Sequence, residues 1–274
     1  MTVILPHAVL PHASAATLLP SERHPAARPA RPARPVPPAP LSPALSKLLA
    51  RLPVQDDGEA LRQSLFHSGT HFNPDLLTSE AERRARLEGV HAALDRAESL
   101  VFLDTESTGG RNGRLIEVAL VETDVEQNVT GGLHFRCNPH RRSLAGARRV
   151  HGIQDCELEH CPEFAARADE LLEAGRGKTV VIHDRTMDLL WLNRELQAAR
   201  PGAPRFEDRC TVVDSFVLAR AIPSERRRNG LDALLEWYGL GARGGHHDAY
   251  GDAAPLSRVF FELWWDLDEW LYGE

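Results

Sequence analysis

The stretch Val101-Phe-Leu-Asp-Thr-Glu-Ser-Thr-Gly-Gly110 constrains this chain more than any other, because it carries two carboxylates out of an apolar run and into a glycine turn. Residues two apart on a strand project from one face, so a strand ending here holds Asp104 and Glu106 side by side at its mouth. Two such acids repel unless a cation lies between them. Hard divalent ions such as Mg²⁺ or Mn²⁺ take oxygen ligands and leave positions open for phosphate and water, so the pair points to a metal site. Taken alone, the decapeptide also fits a polar strand end with two solvated acids.

Whatever surrounds those acids has to come from the later part of the chain. Residues 1–54 contain 12 of the 19 prolines, most of them in the tract from Pro25 to Pro40, and that composition predicts a disordered, semi-rigid arm. The arm carries Arg23, Arg28, Arg31, Arg34, Lys47 and Arg51 against Glu22, which leaves the remainder strongly acidic within a net charge of −7. An acidic body is unsuited to non-specific adhesion to nucleic acid, although bound metal and loop arginines can still make a local phosphate site. The expected division is a Pro/Ala/Arg-rich arm at 1–54, a linker and lead-in helix at 55–98, and a folded domain at 99–274. Within the linker, Gln63-Ser-Leu-Phe66 resembles the peptides that dock on bacterial sliding clamps, one residue short in spacing, and suits an amphipathic turn as well.

Four cysteines (Cys137, Cys156, Cys161 and Cys210) form no C-x-x-C pair, as expected in a reducing compartment. The group His151, Cys156, His160 and Cys161 matches no zinc spacing. With no membrane-length apolar run and no basic leader, the sequence reads as cytoplasmic.

A capping box at Ser79-x-x-Glu82 and apolar residues Leu87, Val90, Leu94 and Ala97 predict a lead-in helix, with Arg83, Arg84 and Arg86 on its solvated face. After the opening strand, Leu115–Asp124 and Gly131–Asn138 read as two more strands of an antiparallel meander. Helical periodicity marks 164–174, a buried strand 179–183, and further helices 188–199, 213–220, 231–238 and 251–265. A meander followed by alternating helices and strands gives an α/β fold with a mixed sheet.

Two later segments supply more acids. Asp188 opens the helix after the strand at 179–183, and in His246-His-Asp-Ala-Tyr-Gly-Asp252 a histidine, His247, precedes Asp252 by five at the start of the last helix. Asp252 is also where a helix dipole favours an acid for structural reasons alone.

With Asp104-Thr-Glu106, Asp188 and His247-x-x-x-x-Asp252 in this order, the sequence resembles the DEDDh 3′→5′ exonucleases, the family of the proofreading epsilon subunit of bacterial DNA polymerase III. The resemblance covers about residues 99–266, and Val150-His-Gly-Ile153 and Arg228-Asn-Gly-Leu-Asp-Ala-Leu234 extend it. It implies a ribonuclease H-like mixed sheet flanked by helices. It implies that Asp104, Glu106, Asp188 and Asp252 bind two divalent cations, Mg²⁺ or Mn²⁺, and that His247 is the general base, with the adjacent His246 its competitor. Thr105, Ser107, Thr108 and His151 would meet the substrate. The sequence departs from the family pattern at His183-Asp-Arg-Thr-Met-Asp188, where Asp184 and Arg185 replace a small neutral pair, and before His151, where the usual glutamate is missing.

The resulting expectation is a metal-dependent enzyme that trims DNA 3′ ends in proofreading or repair, with a DNA polymerase or sliding clamp as candidate partner. Trimming of RNA 3′ ends is the alternative substrate, and a non-catalytic nucleic-acid or polymerase adaptor is the alternative class. Four repelling carboxylates kept together weigh against an adaptor. Arginines at 141–142, 148–149 and 226–228 are candidates for neutralising phosphates or for solvated loop charge. The chain ends 22 residues beyond Asp252, where epsilon-type subunits continue into a polymerase-binding tail, and this is expected of a stand-alone enzyme.

Overall fold

A computed structural model describes residues 79–110, 112–243 and 247–273. The proline-rich arm, the clamp-like peptide at 63–66 and His246 lie outside the described residues.

Helix α1 (Glu80–Leu94) begins where the capping box predicts, with Ser79 Oγ accepting from Glu82 N at 3.1 Å. Strands β1 (Ser99–Ser107), β2 (Leu115–Asp124) and β3 (Val129–Arg136) form the antiparallel meander. Two short helices, α2 (Ala145–His151) and α3 (Asp155–Leu158), cross to the second half. There follow α4 (Ala168–Gly175), β4 (Thr179–Ile182), α5 (Thr186–Ala199), β5 (Thr211–Asp214), α6 (Ser215–Ala221), α7 (Leu231–Trp237) and α8 (Ala249–Tyr272). The sheet order is β3-β2-β1-β4-β5, with β4 parallel to both β1 and β5.

Several elements differ from the sequence reading. The helix expected over 213–220 is a strand, Thr211–Asp214, followed by α6 from Ser215. A four-residue strand with two apolar residues, Val212 and Val213, is too short for periodicity to separate strand from helix. Asp214 marks the switch, because its carboxylate accepts from Phe216 N and Val217 N as the helix cap. Helix α2 was not expected, and α8 runs seven residues past the 265 boundary, ending near its C-terminal cap Gly273. Arg226 is also not loop charge. It is buried beneath α8 and donates to Tyr238 Oη, Asp266 Oδ2 and Ala219 O.

The strand alternation of β1 builds two cores. Leu100 and Phe102 face α1 and α8, whereas Val101 and Leu103 face α4 and α5. With the central strand buried on both faces, polar side chains emerge only where the sheet ends, and the next residues of β1 are Asp104, Thr105 and Glu106.

Candidate active site

The period of two that sorts the core also sorts the site. Asp104 and Glu106 continue the row of Leu100 and Phe102 toward α8, and Thr105 continues the row toward α5. Thr105 is buried there, and its Oγ1 donates to Asp188 Oδ1 at 2.7 Å, fixing the third acid from the first turn of α5 against the strand. Asp252 enters from the first turn of α8, whose cap is Asp248, accepting from Gly251 N at 2.7 Å. Ligand atoms of Glu106, His247 and Asp252 lie within 4.8 Å of one another, and His247 Nδ1 is 3.2 Å from Asp252 Oδ2. Three segments, each more than 60 residues from the next, thus deliver four carboxylates to the end of one strand.

These acids hold their protons tightly. Burial, then the charges of Asp188, Asp252 and Glu106, raises Asp104 well above the usual carboxylate range. Burial followed by Asp252 and Glu117 pushes Glu106 up to about 8. Asp188 rises to about 7 through burial, in spite of the Thr105 hydroxyl that favours its ionised form. Burial raises Asp252 as well, opposed by Arg243. Mutually repelling buried carboxylates are the donor set that a hard divalent cation neutralises. Two further observations fit such an ion: Asp252 Oδ1 is buried without a hydrogen-bond partner, and a cationic group, the Arg243 guanidinium, already donates to Oδ2 at 2.5 Å.

The remaining candidates are placed as follows. Ser107 and Thr108 are buried, Ser107 Oγ accepting from Gly109 N and Thr108 Oγ1 from Arg114 N, whereas the Thr105 hydroxyl is committed as a donor to Asp188. Gly109 adopts φ 85°, and a Cβ there would meet Ala147 Cβ at 2.9 Å, so the turn after the acids has to be glycine for α2 to pack on it. His151, at the end of α2, is 3% exposed; its Nδ1 accepts from Ile153 N, burial lowers its proton affinity, and its Nε2 has no partner. The preceding residue, Val150, accepts from His247 N at 3.0 Å, which ties α2 to the histidine segment.

Two functional neighbours escaped the sequence. Glu117 of β2 pairs in register with Glu106 and is fully buried. Its Oε1 accepts from Arg136 Nε at 2.8 Å and contacts His134 Nε2 at 3.1 Å, while its Oε2 accepts from Ala249 N at 2.9 Å. Burial works to raise its pKa, but these donors overcome it and hold the group at about 2, ionised. Asp214 plays a similar part below Asp188: besides capping α6 it accepts from Asp184 N and Arg185 N, each at 3.3 Å. The unusual Asp184-Arg185 pair is accommodated by this turn, Asp184 at φ 59° and Arg185 buried with its Nε 3.9 Å from Asp214. Glu117 stood in plain view inside the apolar run Leu-Ile-Glu-Val-Ala-Leu, and a charged residue in a strand buried on both faces is the signal that could have found it.

This mixed α/β sheet, with four acids and a histidine gathered at the end of its central strand, has the ribonuclease H-like architecture. Residues 101–260 match the RNase_T family model, described as Exonuclease, and the chain belongs to that exonuclease family. Similar proteins include the DNA polymerase III subunit epsilon of Rickettsia felis, 34% identical over 168 residues that are 60% of this chain and 72% of that one. The Escherichia coli K12 subunit of the same name is 33% identical over 172 residues, 60% of this chain and 70% of its own. Among solved structures, E. coli Exonuclease I in complex with a dT13 oligonucleotide shares the fold, with a TM-score of 0.50 at 20% identity over 61% of this chain. The match spans about two fifths (41%) of the Exonuclease I chain.

Proposed function

We propose that this protein is a metal-dependent 3′→5′ exonuclease that removes nucleotides from DNA ends in proofreading or repair. The observation that carries the reading is the convergence of Asp104, Glu106, Asp188 and Asp252 on one strand end, their pKa values raised by burial. DNA as the substrate is supported by the relatives named as DNA polymerase III subunits and by the oligonucleotide-bound Exonuclease I. The same names make a DNA polymerase the partner of first choice, with a sliding clamp as a second through Gln63-Ser-Leu-Phe66. A cytoplasmic location goes with that role. Among the described residues no helix is long and apolar enough to cross a membrane.

The four carboxylates are the residues that would hold two ions, Mg²⁺ or Mn²⁺. Bound divalent ions supply charge stabilisation at the scissile phosphate and lower the pKa of the attacking water. His247 then serves as general base. Its Nδ1 is directed to Asp252, which orients the ring and leaves Nε2 to take the proton as the water oxygen attacks phosphorus and the 3′ oxygen departs. Thr105 keeps Asp188 on its rotamer, and Ser107 and Thr108 shape the turn along which the terminal nucleotide lies. His151, neutral and with Nε2 unpartnered, is the donor we assign to that nucleotide.

The deciding experiment is degradation of matched 3′-labelled and 5′-labelled DNA and RNA strands with Mg²⁺, Mn²⁺ or chelator. The reading expects stepwise loss from 3′ ends of DNA, abolished by chelation. Preferred digestion of RNA, loss from the 5′ end, or activity that survives chelation would each replace it.

A further inference from the structure

Arg243 is the one cation set among the site acids by direct contact in the described residues, and the way it is held is uneven. Its Nε and Nη2 grip Asp232 at 2.6 and 2.9 Å, a bidentate pair on the first turn of α7 whose carboxylate side chain is 67% exposed. Its Nη1 reaches inward to Asp252 Oδ2 at 2.5 Å, and the Asp252 side chain is only 7% exposed. The arginine is thus anchored at the rim by a fork-to-fork pair and turns its other terminal nitrogen to a buried carboxylate of the site. In sequence it stands between Gly241-Ala242 and Gly244-Gly245, and Gly241 has φ 84°, a backbone that side chains disfavour.

Arg243 adds one positive charge to a cluster that otherwise has four carboxylates. That charge offsets repulsion as long as the acids have no other counter-ion, and it repels a divalent cation that approaches the same Asp252 carboxylate. We infer that Arg243 is a resident counter-cation: held by Asp232, it satisfies Asp252 in the metal-free protein and yields that carboxylate when a divalent ion binds. The arrangement keeps the folded site intact without metal and lowers its metal affinity in exchange. Arg243 is a positioning and competing group here, not a residue that touches the reacting atoms. The inference rests on the proposal that the carboxylates bind divalent ions.

The test is Mn²⁺ titration without nucleic acid, followed by the paramagnetic resonance signal of free Mn²⁺, with melting curves in chelator and in saturating Mn²⁺. Arg243→Met keeps the aliphatic stem and removes the charge. It should bind Mn²⁺ roughly tenfold more tightly, the scale of one charge-assisted hydrogen bond no longer competing. It should also melt below wild type in chelator, and the gap should close in saturating Mn²⁺. Asp232→Asn removes the anchor from outside the carboxylate cluster and should raise Mn²⁺ affinity in the same direction. If Arg243→Met does not fold in chelator, the Mn²⁺ affinity of Asp232→Asn alone decides. Mn²⁺ affinity unchanged or weaker overturns the counter-cation role and leaves the metal reading standing. Failure of wild-type protein to bind Mn²⁺ overturns the metal reading and this inference with it.

Discussion

Asp188→Asn should make the metal-free protein more stable at pH 8 and inactive. The acid is buried, and its pKa rises from 3.8 to about 7. Because the folded value lies above the unfolded one, the native state binds more protons between them. The contribution of Asp188 is fully present below about pH 4 and is lost as the pH climbs to about 7, after which it is flat. At about 1.4 kcal/mol for each pH unit between the two values, the loss approaches ~4 kcal/mol. Relaxation and residual water around a buried acid cut this to about 2 kcal/mol. An amide at this position keeps an oxygen for the Thr105 hydroxyl, so the substitution removes charge with little change in shape. For a domain of this size about 2 kcal/mol corresponds to a rise in Tm of roughly 4–8 °C. The assay is thermal melting in chelator from pH 4 to pH 9, for wild type and variant. The wild type should lose stability steadily over the lower half of that range and the variant should lose less, with a residual slope from Asp104, Glu106 and Asp252. A variant that is less stable than wild type at pH 8, or that has the same slope, would refute the argument that burial penalises the ionised form of Asp188.

Three other outcomes follow from the same geometry. Thr105→Val removes the donor to Asp188 without changing volume; it should cut kcat by about tenfold or more, the cost of one lost charge-assisted bond, with KM for a short strand nearly unchanged, and a kcat within twofold of wild type would show that Asp188 is held by other means. His247→Ala should slow turnover by roughly 10²–10⁴-fold and recover part of the loss as pH rises and hydroxide replaces the base; a larger defect in His246→Ala on the same pH–rate profile would reassign the base. Removal of residues 1–54 should leave turnover of a short oligonucleotide within about threefold, because a tract of that composition has no means of entering a packed site; a folded but inactive truncated protein would place the arm in the site.

The legible parts of the molecule were those governed by short-range pattern. Alternation around Asp104 and Glu106 set the strand and the side on which both acids emerge, and the box at Ser79 set the start of the first helix to the residue. The departures arose where a long-range partner decides the outcome. Thr211–Asp214 becomes a strand because β4 offers it a parallel edge, which no local periodicity records. Arg226 leaves the surface because Tyr238 and Asp266 wait for it across 12 and 40 residues of sequence. Of the hydroxyls of Thr105, Ser107 and Thr108, the first donates to Asp188 from 83 residues away, while the other two accept from backbone N–H groups close by in the chain. Arg243 had no signal of its own, since a lone arginine in a glycine-rich loop is ordinary until its partners are known.

The bond from Ala249 N to Glu117 bridges 132 residues, and it fastens the start of the last helix to the second strand. His247 and Asp252 flank that fastening point. A chain that ends before this helix holds Asp104, Glu106 and Asp188 and lacks the histidine and the fourth acid. Both arrive with the helix that also covers the Leu100 and Phe102 face of the sheet, so one half of the core and the last two residues of the candidate site are completed together. The buried charge of Glu117 thereby couples the register of the second strand to the place where His247 stands.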